Sequence, residues 1–216
     1  GRNSAGIVHW GSYWEFYDFD VTNTKDLEKG FQISGHYNHV ENIQTYGNGN
    51  TGLQISGSGT DTIENWPSHN LIKNCTSFEN ADAGFEDADG FAAKLTVGEG
   101  NVFDGCIAYN NADDGWDLFA KDETGSIGAV TIKNSVAYRN GFIPGVEKTG
   151  NGNGFKMGGT NIPGEHVLIN SLAFENLAKG IDSNSGPNIH VYQSTSFNND
   201  SYNVAFYTNI NQKTNY

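Results

Sequence analysis

Three short segments carry the residues with chemical potential. Asn111-Ala112-Asp113-Asp114-Gly115-Trp116-Asp117-Leu118-Phe119 sets three carboxylates within five residues. Upstream, Ala88-Asp89-Gly90-Phe91-Ala92-Ala93-Lys94 adds a fourth, and downstream Asn153-Gly154-Phe155-Lys156-Met157-Gly158 brings an amine. Carboxylate oxygens with no His or Cys set among them select a hard cation, and Ca²⁺ tolerates irregular geometry better than Mg²⁺. A lysine next to such a cation is disfavoured as an ammonium, so Lys156 could serve as a neutral base at mildly alkaline pH. Taken singly, Asp-Gly is a common turn pair and Lys156 an ordinary surface lysine. The chemistry exists only if the fold brings these segments together.

The elements that would do so are successive copies of one repeat. Six aromatics are each followed two residues later by Asn: Tyr46/Asn48, Phe78/Asn80, Tyr109/Asn111, Tyr138/Asn140, Phe174/Asn176 and Phe197/Asn199. After most of them comes Gly with a large apolar residue, as in Gly52-Leu53, Gly90-Phe91, Gly115-Trp116, Gly154-Phe155 and Gly180-Ile181, with an earlier copy at Gly30-Phe31. The glycine-to-glycine steps are 22, 38, 25, 39 and 26 residues, so the two long steps carry insertions, placed near 57–70 and 142–152. Apolar residues alternate over stretches too short for helices, as in Val130-Thr131-Ile132 and Val167-Leu168-Ile169. Short strands at a period in the twenties predict an all-β parallel β-helix, a solenoid with an internal Asn ladder, forming a single domain over residues 1–216.

Each residue in such a coil stacks on its equivalent about 4.8 Å away. The Asn residues are expected to occupy left-handed turns and to pass amide hydrogen bonds from coil to coil. The Tyr/Phe column is expected to stack internally. Trp116 and Phe155 are read as core. Cys75 and Cys106 both lie three residues before their aromatics and should be neighbours in a buried small-residue ladder; a disulfide stays open, although in-register stacking suits it poorly. The stretch from Trp10 to Asn23 reads as one degenerate coil, and 202–207 as a last coil before a polar tail.

Aligned on Gly, the preceding residue runs Lys29, Thr51, Asp89, Asp114, Asn153, Lys179, and the residue two after Gly runs Gln32, Gln54, Ala92, Asp117, Lys156, Asp182. Asp89 and Asp114 then face each other across two coils, Asp113 and Asp117 flank Asp114, and Lys156 follows Asp117 in its column. Four carboxylates so placed either hold protons or share a cation. The run of glycines around Lys156 is expected to let a large ligand approach the backbone. Glu86, Asp87, Asp122 and Glu123 are assigned to solvation first, with further cation contacts as their other reading.

The 216 residues allow one sizeable core. A net charge of −13 repels nucleic acid, and repels an acidic polysaccharide too unless bound cations invert the local field. No run is long and apolar enough for a membrane span. A chain that begins without Met suits removal of a secretion signal, so a secreted monomer is expected.

These three segments resemble the signature of polysaccharide lyase family 9, which contains pectate lyases and rhamnogalacturonan lyases on a right-handed parallel β-helix. The likeness runs from about Gly30 to Asn203 and is densest at 88–159. The resemblance implies that Asp89, Asp113, Asp114 and Asp117 are Ca²⁺ ligands and Lys156 the catalytic base. It also implies an acidic polysaccharide substrate, polygalacturonate or rhamnogalacturonan, cleaved by β-elimination. Arg139 is a candidate clamp for a second uronate, against a structural surface role. Two rivals remain: a glycoside hydrolase on the same architecture, using Asp113 and Asp114 as acid and base, and a non-catalytic carbohydrate-binding solenoid whose Ca²⁺ is structural.

Overall fold

A computed structural model describes residues 4–207; the polar tail expected after 207 lies outside the described residues. The chain winds through three parallel sheets. The first has eight strands, Ile7–His9, Phe31–Ile33, Leu53–Ile55, Phe91–Ala93, Trp116–Asp117, Phe155–Lys156, Ile181–Asp182 and Val204–Ala205. The second and third have seven each, beginning with Glu15–Tyr17 and Asp20–Thr22 and ending with His190–Tyr192 and Thr195–Phe197. Among the described residues the sole helical piece is the 3-10 turn Ile63–Asn65, and no helix is long and apolar enough to cross a membrane.

The register matches the glycine alignment. Phe31, Leu53, Phe91, Trp116, Phe155 and Ile181 pair in sequence along the first sheet and are all buried. The rings of Phe91, Trp116 and Phe155 stack at 4.8 and 4.9 Å, which confirms Trp116 and Phe155 as core. Glycine precedes this column because a Cβ has no room: at Gly154 it would meet the Gly180 carbonyl and the Asn176 side-chain amide. The ladder runs as expected, with the side-chain amide of each Asn donating to the next Oδ1 from Asn48 to Asn199 at 2.9–3.0 Å. A second, shorter ladder, unforeseen in the sequence, links Asn38, Asn70 and Asn101 at 3.0 and 2.9 Å. Further along that column His166 takes over, its Nδ1 accepting the Val130 N–H at 3.1 Å.

Four expectations change. The aromatic column is stacked, with centroids 4.8–5.3 Å apart from Tyr46 to Phe197, but on the outer face of the third sheet. Strand alternation sends the middle residues Thr45, Ser77, Ala108 and Ala137 inward instead, small because the ladder already fills that corner. The left-handed residue is the one before each ladder Asn (Gly47, Glu79, Asn110, Arg139), so the ladder side chains themselves point inside. The first coil begins at Ile7–His9, ahead of Trp10. Each long coil widens at two corners, 56–70 with 79–90 and 118–129 with 139–154. Cys75 and Cys106 sit in adjacent coils as buried free thiols.

Candidate active site

Corners of successive coils place the acids. The widened corner 79–90 holds Asp89, and the short corner 110–115 supplies Asp113 and Asp114. A small apolar cluster of Phe85, Ala88 and Ala112, with Ile143 packed on it, ties the corners of three successive coils together. Gly150 seals this packing, since a Cβ there would meet the carbonyls of Ala112 and Phe85. The glycines around Lys156 therefore serve coil-on-coil contact: a Cβ at Gly159 would strike the Phe119 ring. The expected opening for a ligand backbone is not there.

In register, Gly52, Gly90, Gly115 and Gly154 each donate to the carbonyl of the residue before the next glycine, so Thr51, Asp89, Asp114, Asn153 and Lys179 form one column. Asp117 pairs with Lys156, and Lys156 with Asp182. All four acids are buried, none more than 3% exposed. Carboxylate oxygens of Asp89, Asp113 and Asp114 come within 4.8 Å of one another, and Asp117 joins them through lysines. Lys156 Nζ lies 3.1 Å from Asp114 Oδ2 and 3.5 Å from Asp117 Oδ1 and sits 5.6 Å over the Phe119 ring. The sequence-derived cluster of Asp89, Asp113, Asp114, Asp117 and Lys156 is thus brought to one place.

Three contributors were not assigned roles from sequence. Lys94 bridges Asp89 Oδ2 at 2.7 Å and Asp117 Oδ2 at 2.9 Å. It stands four residues after its glycine, where the next coil has Phe119, and a lone charge at that position beside an acidic column was the available signal. Thr51 and Asn153, the column neighbours above and below, cap the acids: Thr51 Oγ1 donates to Asp89 Oδ2 at 3.1 Å, and Asn153 donates its backbone N–H and side-chain amide to Asp114 Oδ1 at 2.7 and 2.8 Å. Arg139 is not brought in. It occupies the left-handed corner position after Tyr138, more than half exposed, and pairs with Glu175 Oε2 at 2.7 Å. Glu86, Asp87, Asp122 and Glu123 are exposed, as solvated groups are, with Glu86 and Asp87 on the rim of the cluster.

The electrostatics show a site short of positive charge. Burial, then repulsion from Asp114 and Asp89, pushes the Asp113 carboxyl up to about 10. Burial raises Asp89 to about 7 against the pull of Lys94, and raises Asp114 against that of Lys156. At Asp117 burial opposes ionisation too, yet the charges of Lys156 and Lys94 overcome it and hold the carboxyl below its ordinary value. Burial likewise works against the Lys156 ammonium, but the four carboxylates keep it well above the usual lysine range. Asp113 Oδ1 has no hydrogen-bond partner; Asp114 Oδ2 and Asp117 Oδ1 have Lys156 near them as a charge without a directed hydrogen bond. Unpartnered buried carboxylate oxygens facing one another fit a hard divalent cation, which would relieve both the charge deficit and the missing bonds. The cluster opens into a depression of about 280 Å³ lined by Glu86, Lys94, Asp117, Phe119, Lys121 and Lys156.

Residues 2–215 match the family model described as the Pel9A-like, right handed beta helix region. A pectate lyase L of Thermoclostridium stercorarium is 46% identical over 209 residues, 95% of this chain and 17% of that protein. The crystal structure of pectate lyase Pel9A superposes with a TM-score of 0.76 at 34% identity, covering 94% of this chain and 49% of that one. A rhamnogalacturonan lyase structure follows with a TM-score of 0.69 at 27% identity, covering 86% and 48%. The chain spans a minor part of the first relative and about half of each solved structure.

Proposed function

The chain belongs to the Pel9A-like right-handed β-helix family, and from that premise we propose that it is a polysaccharide lyase cleaving acidic pectic polymers outside the cell by β-elimination, with Ca²⁺ as cofactor and Lys156 as base. The observation that carries the reading is the Lys156 amine within 3.5 Å of two buried carboxylates whose oxygens lack partners. Asp89, Asp113, Asp114 and Asp117 would hold the ion, with Thr51 and Asn153 fixing two of them from neighbouring coils. When bound, Ca²⁺ neutralises the uronate carboxylate and acidifies the C5 proton beside it.

The remaining work falls to the chain. With the acids committed to a cation, the carboxylates that lock Lys156 as an ammonium are neutralised, and its amine becomes available as a base. Lys156 Nζ takes the C5 proton. The electron pair becomes the C4–C5 double bond as the C4–O bond breaks, and the departing oxygen takes a proton from water. Phe119 and Gly159, in mutual contact, hold the lysine's apolar side closed. Lys94 keeps Asp89 and Asp117 splayed toward it and subtracts one negative charge from the site.

Polygalacturonate comes first because the relatives are named pectate lyases; the rhamnogalacturonan backbone is the second reading, favoured by the second structural neighbour. Incubation with each polymer, with Ca²⁺ and with a chelator, should give ultraviolet absorbance from the 4,5-unsaturated end only when Ca²⁺ is present. Cutting without that chromophore would mean hydrolysis and overturn the reading.

A further inference from the structure

Two lysines stand apart in this acidic chain. Every other described lysine has an acidic side chain or a backbone carbonyl within reach of Nζ, whereas Lys29 and Lys121 have no such partner among the described residues. Neither is freely solvated; both are half-buried. Glu28 and Asp87 act on Lys29 only at a distance, and a partly desolvated ammonium with no acid in contact costs free energy, so its retention points to an anion that arrives from outside. Burial, and then repulsion from Lys94, lowers the pKa of Lys29, which places it close to the acid cluster.

Their positions suit one ligand. Lys29 heads the column Lys29, Thr51, Asp89, Asp114, two coils or about 10 Å before Asp89 at the edge where the chain enters the first sheet. Lys121 lies on the corner by which the chain leaves that sheet after Asp117, and lines the depression into which Lys156 opens. The carboxylates Glu86 and Asp87 share the rim, so an anion would be turned toward the lysines. A polymer bearing a carboxylate on every unit, with one unit at the cluster, passes both amines.

We propose that Lys29 and Lys121 are carboxylate-binding residues, each gripping a uronate that neighbours the one held between the acid cluster and Lys156. This rests on the polyuronate reading above and adds the residues that seat the flanking units. The test compares Lys29→Gln and Lys121→Gln with Lys133→Gln, a salt-bridged lysine on the second sheet. Calorimetric binding of a galacturonate oligomer in Ca²⁺ and steady-state kinetics on polygalacturonate supply the readouts. Each substitution should weaken binding and raise KM by about tenfold or more, the loss of one charge-assisted hydrogen bond, with a far smaller fall in kcat. The difference should shrink as salt rises, and Lys→Arg should restore most of it. Wild-type binding with Lys29→Gln and Lys121→Gln indistinguishable from Lys133→Gln overturns this inference alone. Wild type that binds no polyuronate overturns the functional reading along with it.

Discussion

Two columns of the same solenoid run side by side and behave in opposite ways. The ladder column repeats one residue, Asn48 through Asn199, and the site column does not: Lys29, Thr51, Asp89, Asp114, Asn153, Lys179. In the coil of Asn111 the two columns are three residues apart. Stacking suits Asn because an amide donates on one side and accepts on the other, so every copy satisfies the next. Asp placed on Asp can only accept, and burial raises both Asp89 and Asp114. Repetition makes the scaffold, and the rungs where the repeat is broken hold uncompensated charge that can do chemistry.

The comparison breaks most sharply at Lys156. Lys156→Ala should cut turnover on polygalacturonate by about 10³-fold, the scale of a lost general base and equivalent to about 4 kcal/mol of barrier. Its urea midpoint, measured in Ca²⁺, should stay close to wild type, because the cation takes over the acids with which the amine otherwise pairs. The ladder should show the reverse. Asn140→Ala removes bonds to Asn176 and the Ala108 carbonyl and strands the Asn111 amide, so chemical unfolding should show a loss of about 3 kcal/mol while the folded fraction keeps its kcat.

A titratable stand-in sharpens the contrast within the second ladder column. Burial holds His166 at about 4, below its ordinary 6.5, so the folded state favours the neutral ring. Its contribution is whole above pH 6.5 and drains as pH falls toward 4, by about 3 kcal/mol. His166→Asn should flatten that part of the stability–pH curve, measured as wild type minus variant; parallel curves would refute the assignment. The smallest effect belongs to the outer stack. Tyr138→Ala, between Tyr109 and Phe174, should cost about 1 kcal/mol and leave activity intact.

Much of this was legible before any coordinates. The glycine spacing aligned Asp117 with Lys156 and Asp89 with Asp114, because a parallel coil of fixed register converts a sequence offset directly into a neighbour. What periodicity does not carry is sidedness. The aromatics looked internal because they are apolar and regular, yet strand alternation and the space taken by the ladder put them outside. Several corner residues escaped for a related reason. Lys94, Thr51 and Asn153 act through side-chain reach across coils, and Arg139 beside the ladder turned out to face Glu175. The glycines around Lys156 were misjudged because the same lack of a Cβ serves a ligand or a neighbouring coil, and only packing tells which.

The most direct measurement is calorimetric titration of Ca²⁺ into the wild-type chain and into Asp89→Ala and Asp114→Ala, acids 25 residues apart in sequence and adjacent in the column. One ion per chain should bind to wild type, and each substitution should weaken it by more than about 100-fold, beyond the loss seen when a supporting partner alone is removed. Unchanged affinity in either variant, or no binding to wild type, would show that the stacked acids are not one cation site.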